Sequence, residues 1–315
     1  MADNRDFGPK STTEEVLAGI DLSGKTALVT GASGGLGAET ARALAAAGAR
    51  VLLTARDRER GEKVAQAIRD EKPGAAAEVL DLELGSFSSV RKCAEEIVAR
   101  EEPIDLLINN AGIMGCPLQR TVEGHEMQFG TCHVGHFLLT TSLLPALHRS
   151  QSARVINLTS AGHFFGGFDL ADPDFRTRPY DKWLGYGQAK TANILFTVAM
   201  EARFAADGIH SLAVHPGAIA TDLGRHLEPA DLELLMGGNE GKGLEFKSVP
   251  AGAATTCWAA SAPELDGVGG RYLLDCRVAE ISEDPNVGVA AFAMDADQAE
   301  QLWALSEALC GTRLS

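Results

Sequence analysis

The chain has 315 residues and a hydrophobic fraction of 45%, enough for a sizeable core and too much for a disordered protein. Its 28 Lys and Arg residues against 43 Asp and Glu residues give a net charge of −15, which argues against nonspecific binding to nucleic acid or to an anionic membrane. The six cysteines lack the spacing of a zinc site or a disulfide framework, and no apolar signal core or spanning segment occurs. We therefore expect reduced cysteines, no metal and a cytoplasmic protein with no membrane span.

Predicted strands and helices alternate along the chain. Residues 1–22 predict a surface lead-in with a short helix at 13–18, capped by Thr12 or Thr13. Short apolar segments predict strands at 25–30, 51–54, 77–80, 104–108, 154–158, 210–214 and 270–274. The stretches between them predict helices at 38–47, 58–70, 87–100, 126–148, 186–206 and 251–260.

This alternation predicts an α/β protein. Residues 23–315 are expected to form a single doubly wound (Rossmann) domain, with a mostly parallel seven-stranded sheet between layers of helices. Ligands bind such a sheet at the carboxyl ends of its strands. Two longer segments, near 161–185 and 222–248, are predicted to be substrate-loop insertions.

A glycine-rich turn follows the first predicted strand. Gly31, Gly34, Gly35 and Gly37 lie between that strand and an alanine-rich helix. Glycines in this setting permit a tight turn and a close approach of backbone N–H groups to a pyrophosphate. The strand–turn–helix context therefore predicts a dinucleotide site, whereas an isolated glycine cluster would be interpreted as a plain turn.

Tyr186 and Lys190 are four residues apart on a predicted helix and so share one face. A phenol has an ordinary pKa of about 10, and a nearby ammonium lowers that pKa because it favours the phenolate. The pair can therefore exchange a proton with an alcohol or carbonyl oxygen near neutral pH. Because an isolated pair of this kind is common by chance, the interpretation depends on the other motifs.

Five motifs together resemble the short-chain dehydrogenase/reductase family over about residues 20–280. They are Thr30-Gly31-x-x-x-Gly35-x-Gly37, Asn109-Asn110-Ala111-Gly112, Ser160, Tyr186-x-x-x-Lys190 and Pro216-Gly217. Segments such as Gly135-His136-Phe137 and Ser160-Ala161-Gly162-His163 resemble its retinol-dehydrogenase-like and WW-domain-oxidoreductase-like branch. The resemblance implies a nucleotide-binding sheet and hydride transfer to or from NAD(P).

The resemblance also implies a role for each matching residue. Tyr186 would be the acid–base group, Lys190 would lower its pKa and bind the nicotinamide ribose, and Ser160 would hold the substrate oxygen. Asp81 would contact adenine, with a solvated strand-end carboxylate as the alternative. The expected cofactor-binding residues are Gly31, Ser33, Gly34, Gly35, Leu36, Arg56, Asp81, Leu82, Asn110, Ala111, Gly112, Tyr186, Lys190, Pro216, Gly217, Ile219 and Thr221.

The choice of dinucleotide is predicted from the end of the second strand. An NAD site usually has an acidic residue there, about 20 residues past the glycine turn. This chain has Ala55, and the guanidinium of the following Arg56 can pair with a 2′-phosphate. We therefore expect NADP(H); the alternative is that Arg56 is merely solvated within the charged run at 56–60.

Cys132 departs from the family's pattern, which usually has an asparagine here that supports a water relay from the lysine to solvent. A thiol is a much weaker donor and acceptor than an amide. Activity is then reduced, or the relay runs through backbone, water or His133, or the protein binds cofactor without efficient turnover. An active enzyme is favoured because Ser160, Tyr186 and Lys190 remain, and Cys132 is counted as a candidate catalytic residue against the plainer alternative of an inert buried thiol.

The two insertions can shape a substrate pocket. The first carries the aromatic residues Phe164, Phe165, Phe168, Phe175, Tyr180 and Trp183. The second carries Leu223, Leu227, Leu232, Leu234, Leu235 and Met236 ahead of several glycines, which predicts a mobile lid. Together they suggest a bulky, mostly apolar alcohol, ketone or aldehyde. The alternative is that the aromatic residues only anchor the loops.

The function expected is thus an NADP(H)-dependent oxidoreductase acting on a carbonyl/alcohol pair. One alternative is a dinucleotide-binding protein with weak or vestigial activity. Another is the reduction of a carbon–carbon double bond, as in the related protochlorophyllide reductases. The expected partner is a small molecule, with no nucleic acid and possibly a second copy of the chain.

Overall fold

The structure is a computed structural model that describes residues 6–231, 233 and 246–313. Over these residues one sheet has the strand order β3-β2-β1-β4-β5-β6-β7-β8. The strands are β1 Thr26–Val29, β2 Arg50–Ala55, β3 Ala77–Asp81, β4 Leu106–Asn109, β5 Ala153–Leu158, β6 Ile209–His215, β7 Arg271–Leu274 and β8 Arg277–Val278. All neighbours pair in parallel except β7 and β8, so the predicted doubly wound, mostly parallel sheet is confirmed.

The predicted count of seven strands is wrong, because β8 adds an antiparallel edge. Asp275 and Cys276 join β7 to β8 and have φ angles of 52° and 56°. Two left-handed residues in succession are the geometry of a type I′ turn, whose twist matches that of paired antiparallel strands. An Asp-Cys turn lacks the glycine that usually marks this geometry. A two-residue strand is also too short to show the alternation of apolar and polar residues that predicts a strand. The sequence therefore does not indicate β8.

The helices cover both faces of the sheet. They are α1 Thr13–Leu17, α2 Gly35–Ala46, α3 Arg58–Glu71, α4 Phe87–Val98, α5 Met127–Phe129, α6 Gly135–Ser142, α7 Leu144–Leu147, α8 Lys182–Phe204, α9 Val249–Ser261 and α10 Ala296–Cys310. The cap of α1 is Thr12, in a reciprocal capping box with Glu15. Helix α8 begins four residues before the predicted start, because the carboxylate of Asp181 accepts from the first free N–H groups of the helix.

The single helix predicted at 126–148 is wrong in detail. A π-helical turn, Gly130–Val134, separates α5 from α6, and a break at Leu143 separates α6 from α7. Pro145 has no N–H group to donate to a carbonyl one turn earlier, which accounts for the second break. The π-helical turn contains Cys132 and therefore shapes the backbone next to the predicted site.

The C-terminal helix α10 was not predicted, and it covers α6 and α8. The ring of Trp303 lies 5.0 Å from that of Phe137 and 6.0 Å from that of Phe196, between ring centroids. The Nε2 atom of His133 lies 2.8 Å from the hydroxyl of Ser306. Helix α8 is therefore buried along most of its length, which holds its functional residues in a rigid frame.

The C-terminal half of the predicted lead-in packs into the core instead of lying wholly on the surface. Val16, Leu17 and Leu22 are buried in the same apolar cluster as β1 and β2. Within the described ranges, no helix is both long enough and apolar enough to cross a membrane, and no group of His, Cys, Asp and Glu residues could hold a metal ion. Residues 232 and 234–245 of the predicted lid lie outside the described residues, including Leu232, Leu234, Leu235 and Met236.

Candidate active site

The carboxyl ends of the strands open into one cleft with a volume of about 1390 Å³. Its lining comes from the glycine turn, the ends of β2 and β4 to β7, and segments 160–165 and 215–227. Every predicted site residue lines this cleft except Asp81 and Cys132. Residues from the whole length of the chain thus meet where the parallel topology requires a ligand site.

The glycine turn packs against the segment that follows β4. A Cβ atom on Gly31 would lie 2.9 Å from Ala111, and one on Gly37 would lie 2.5 Å from the side-chain amide of Asn110. Gly31 also has φ +65°, which strains any other residue. Helix α2 begins here with Gly34 as its N-cap and no side-chain cap. Its first N–H groups thus remain available to an anion, as a pyrophosphate site requires.

Thr30 and His136 hold the glycine turn and the Asn110-Ala111 segment together. The hydroxyl of Thr30 accepts from the backbone N–H groups of Asn110 and Ala111 at 2.9 and 3.0 Å. It lies 2.8 Å from Nε2 of His136, whose Nδ1 donates to the carbonyl of Cys132 at 2.9 Å. Burial lowers the pKa of His136 to about 4, so the ring is neutral and Nε2 accepts from Thr30. The sequence motif contained His136 but did not indicate this role.

Tyr186 and Lys190 lie one turn apart on α8, at the inner wall of the cleft. Lys190 Nζ lies 5.7 Å from the centroid of the Tyr186 ring and donates to the carbonyl of Leu158 at 3.1 Å. Only 4% of each residue is exposed. Because Leu158 ends β5, this bond fixes the ammonium at the carboxyl edge of the sheet.

Burial raises the pKa of Tyr186 above its ordinary value. Lys190 and the neighbouring Ser160 hydroxyl act in the opposite direction and lower it. The expected effect of the ammonium is therefore present, but in the protein alone burial outweighs it. The phenol is protonated at neutral pH in this state, which suits a proton donor.

Ser160 follows β5 and caps the short 3₁₀ helix Ala161–Phe165. Its hydroxyl accepts from the N–H of Gly162 at 3.0 Å and lies beside the phenol of Tyr186. The intervening 25 residues loop out as the sequence required, and Ser160 reaches α8 because Gly162 has no side chain. A Cβ atom on Gly162 would lie 2.7 Å from the Tyr186 ring.

Cys132 is fully buried and lies behind the cleft, not in its wall. Its thiol makes one hydrogen bond within the described part of the chain, a weak donation to the carbonyl of Ile113 at 3.6 Å. A Cβ atom on Gly112 would lie 3.5 Å from the thiol and 3.7 Å from Lys190 Nζ, so the thiol is near the ammonium. The geometry is that of a packed thiol close to the proton-transfer residues.

The strand-end position of β2 is not acidic, and the charged run that follows it contains arginines together with Asp57 and Glu59. Ala55 is buried there, and Arg56 is 74% exposed, with its guanidinium 3.6 Å from the carboxylate of Glu83. Arg60 of α3 also lines the cleft, with Nη2 3.5 Å from the Cβ position of Gly34. The sequence reasoning missed Arg60, although it stands one helical turn after Arg56 in the same charged run.

Asp81 and Thr54 differ in how they face the cleft. Asp81 ends β3 but does not line the cleft, and its carboxylate lies 3.3 Å from the guanidinium of Arg58. Thr54 does line the cleft, and its buried hydroxyl has no hydrogen-bond partner among the described residues. This hydroxyl is enclosed by the surrounding protein atoms, so Thr54 lines the cleft through its other atoms.

The loop after β6 contains the predicted residues Pro216, Gly217, Ile219 and Thr221, and all line the cleft. Lys247, which the sequence did not indicate, supports this loop. A Cβ atom on Gly217 would lie 2.7 Å from the Lys247 side chain, whose ammonium donates to Asp275 at 2.5 Å. Lys247 and Asp275 are 28 residues apart, so no local pattern could have revealed the pair.

The aromatic residues of segment 161–185 divide into two groups. Phe164, Phe165 and Trp183 line the cleft, together with Leu223 and Leu227 of the second insertion. The others anchor the segment: Phe168 and Phe175 are buried, and the hydroxyl of Tyr180 bonds to Gln128 and Cys116. Three of these six aromatic residues thus contribute to the cleft, as a substrate pocket requires, and the other three anchor the loop.

Asp172 organises the anchored part of this segment. Its carboxylate accepts from the backbone N–H groups of Arg176, Thr177 and Arg178 and from the Thr177 hydroxyl, at 2.6–3.1 Å. These bonds hold the pKa of Asp172 well below its ordinary value. The segment therefore forms a fixed wall of the cleft.

Comparison with known proteins agrees with this geometry. A sequence model of the short chain dehydrogenase family matches residues 25–231. A protein named "Probable oxidoreductase" from Streptomyces lividans is 43% identical over 90% of this chain and 97% of its own length. Human retinol dehydrogenase 14 is 37% identical over 99% of this chain and 94% of its own length. The structure of a gluconate 5-dehydrogenase from Burkholderia cenocepacia J2315, in complex with NADP and tartrate, superposes with a TM-score of 0.64 at 26% identity, covering 82% of this chain and 95% of that one.

Proposed function

The chain belongs to the short-chain dehydrogenase/reductase family, in its retinol-dehydrogenase-like branch, and on that premise we propose that it is an NADP(H)-dependent oxidoreductase. It interconverts a carbonyl group and an alcohol on a bulky, mostly apolar substrate. The observation that carries the proposal is the cleft itself, in which Ser160, Tyr186 and Lys190 share one continuous wall with the glycine turn.

The residues present fit a phosphorylated dinucleotide. The uncapped start of α2 and the glycines beside Asn110 form a cradle for a pyrophosphate. Arg56 and Arg60 offer two cations, and Ala55 stands where an acidic residue would repel a 2′-phosphate, although Asp57 and Glu83 also line the cleft. NADP in the related gluconate 5-dehydrogenase supports the same choice. When bound, the cofactor supplies or accepts the hydride.

Asn110, Ala111, Gly112 and the loop 216–221 would hold the nicotinamide half of the cofactor, and Lys190 its ribose. Leu82 lines the adenine end of the cleft, whereas Asp81 points toward Arg58. The proposal therefore gives Asp81 at most an indirect role there, through the backbone of β3 and the Leu82 that follows it.

Tyr186 is the proton donor for reduction of a carbonyl group. Its phenol gives a proton to the carbonyl oxygen, and the adjacent Lys190 ammonium stabilises the phenolate that remains. Ser160 donates a hydrogen bond to the same oxygen and stabilises the negative charge that develops on it. In the reverse direction, the phenolate accepts the proton of the alcohol.

The substrate end of the cleft favours an apolar molecule. Phe164, Phe165, Trp183, Leu223 and Leu227 contribute apolar surface to its wall. Apolar walls with a few convergent polar groups are typical of sites for small organic ligands. We therefore propose long-chain or cyclic aldehydes, ketones and alcohols as the substrate class.

The test is to incubate the protein with a panel of such carbonyl compounds and either NADPH or NADH. The reaction is monitored by the ultraviolet absorbance of the reduced cofactor. Tyr186→Phe should lower kcat by about 10²-fold to 10⁴-fold while cofactor binding is retained. Tyr272→Phe is the matched control, because the hydroxyl of Tyr272 has no partner among the described residues. Tight cofactor binding without turnover of any compound would instead favour a dinucleotide-binding protein. Product analysis with unsaturated ketones separates carbonyl reduction from double-bond reduction.

A further inference from the structure

His163 is a fully buried histidine three residues after Ser160, in the 3₁₀ helix Ala161–Phe165. Its Nδ1 atom lies 2.7 Å from the carbonyl oxygen of Ser160, which also accepts from the backbone N–H of His163 at 3.1 Å. On the other side of the ring, Nε2 lies 3.0 Å from the backbone nitrogen of Ala290. The ring is thus bonded to Ser160 on one side and to the C-terminal part of the chain on the other.

These two partners determine the tautomer. A carbonyl oxygen only accepts and a backbone N–H only donates, so Nδ1 carries the proton and Nε2 does not. Burial lowers the pKa of His163 to about 4, so the ring stays neutral at physiological pH. Both ring nitrogens are therefore satisfied in one fixed orientation.

The bond from Nδ1 restrains the peptide unit of Ser160. The Ser160 hydroxyl is already held by the N–H of Gly162, within the same turn. The hydroxyl of Thr191 on α8 donates to the carbonyl of Gly166 at 3.0 Å and lies 3.4 Å from that of His163. The turn is thus fixed between α8 and the His163 ring, and with it the distance between the Ser160 hydroxyl and Tyr186.

The bond from Nε2 joins this turn to a wall of the cleft. Ala290 follows a bridge between Ile281 and Val289. The backbone of Val289 bonds to Glu280 and Ser282, and these bonds close the segment 280–290 into a loop. Pro285 and Asn286, at the tip of this loop, line the cleft. His163 is the link between that loop and the proton-transfer residues.

We propose that His163 is a positioning residue: its Nδ1–H fixes Ser160 beside Tyr186, and its Nε2 anchors the 280–290 loop. This inference rests on the proposed oxidoreductase function only for its kinetic readout. The ring does not exchange protons with the substrate. Its contribution is to hold the serine hydroxyl in the orientation that meets a substrate oxygen.

Two substitutions separate the two bonds. His163→Asn places an amide N–H where Nδ1 stands, so the bond to Ser160 is kept and the one to Ala290 is lost. His163→Gln places an amide oxygen near the position of Nε2, so the bond to Ala290 is kept and the one to Ser160 is lost. Each variant loses one buried hydrogen bond, so both should lose similar thermal stability.

We expect His163→Gln to lower kcat by about tenfold or more, with the KM for NADPH unchanged. His163→Asn should keep kcat within about threefold of the wild-type value. The activation barriers of the two variants then differ by about 1 kcal/mol. Equal kcat in the two variants would overturn the positioning role. So would nitrogen-15 NMR of the wild-type protein, if it found the proton on Nε2.

The structural readout does not depend on turnover. If the wild-type protein reduces no carbonyl compound, the proposed function fails, and crystal structures of the two variants still decide the inference. A Ser160 hydroxyl displaced from Tyr186 in His163→Gln, and in place in His163→Asn, supports it. A hydroxyl that stays in place in both variants contradicts it.

Discussion

The Nη2 atom of Arg60 lies 2.9 Å from the Oδ2 atom of Asp222. This ion pair joins α3 to the loop after β6, and both side chains line the cleft beside the glycine turn. The guanidinium is close to Gly34 of the glycine turn, and its charge is engaged by the carboxylate. In the proposed NADP(H) site, Asp222 would therefore compete with the 2′-phosphate for Arg60.

Asp222→Asn should strengthen the binding of NADPH. The change removes a negative charge beside a doubly charged 2′-phosphate, so we expect the KM for NADPH to fall by about threefold to tenfold at low salt, and less at high salt. The KM for NADH should change less. The control is Asp70→Asn, an exposed carboxylate that does not line the cleft. A KM for NADPH that rises would show that the ion pair closes the site around the cofactor.

Arg56→Ala should raise the KM for NADPH by about tenfold or more, and that for NADH by less than about twofold, because only NADPH carries the phosphate that the guanidinium can bind. Arg58→Ala is a matched control: Arg58 is a neighbour in the same charged run, but it pairs with Asp81 and does not line the cleft. Equal effects of Arg56→Ala on both cofactors would contradict the predicted preference.

Cys132→Asn should retain or increase turnover. The thiol makes only a weak hydrogen bond, to the carbonyl of Ile113, and an amide at this position is the stronger donor. Cys132→Ala serves as the control and should leave kcat within about twofold of the wild type, if the thiol is an inert packing group. Complete loss of activity in both variants would mean that the thiol has its own chemistry.

Lys190→Met should move the pH profile of alcohol oxidation to higher pH. In the proposed mechanism the phenolate of Tyr186 is the base in this direction, so the rate should rise with pH through the pKa of Tyr186. Lys190 lowers that pKa, and without it the rising limb should shift upward by about one pH unit or more. Lys63→Met, on the exposed face of α3, should leave the profile unchanged. If the pH profile of Lys190→Met is the same as that of the wild type, the phenol of Tyr186 is not the base.

Trp303→Ala should destabilise the fold without changing the chemistry. The side chain is 3% exposed and packs on Phe137, Phe196 and Phe204 between α10 and the helices of the site. Truncation of a buried aromatic costs about 3–5 kcal/mol, so the thermal midpoint should fall by several degrees. The KM for NADPH should stay near the wild-type value at low temperature. Val122→Ala, at a site 78% exposed, should change neither property.

The sequence by itself determined the family and the alternation of strands and helices, and all the site residues it predicted except Asp81 and Cys132 line the cleft. Short-range patterns suffice for this, because glycines in a turn and a Tyr-x-x-x-Lys pair on a helix act through local geometry. A parallel sheet then brings all strand ends to one edge whatever the loops do.

The tertiary structure decided which groups touch across long separations in the chain. Lys247 with Asp275, Arg60 with Asp222, and His163 with Ala290 have no local signature, because each pair meets through the packing of separate elements. It also decided the direction of the Tyr186 pKa. The spacing to Lys190 indicated a lowered value, but burial of the phenol depends on α8 being covered on every side, and that burial raises the pKa.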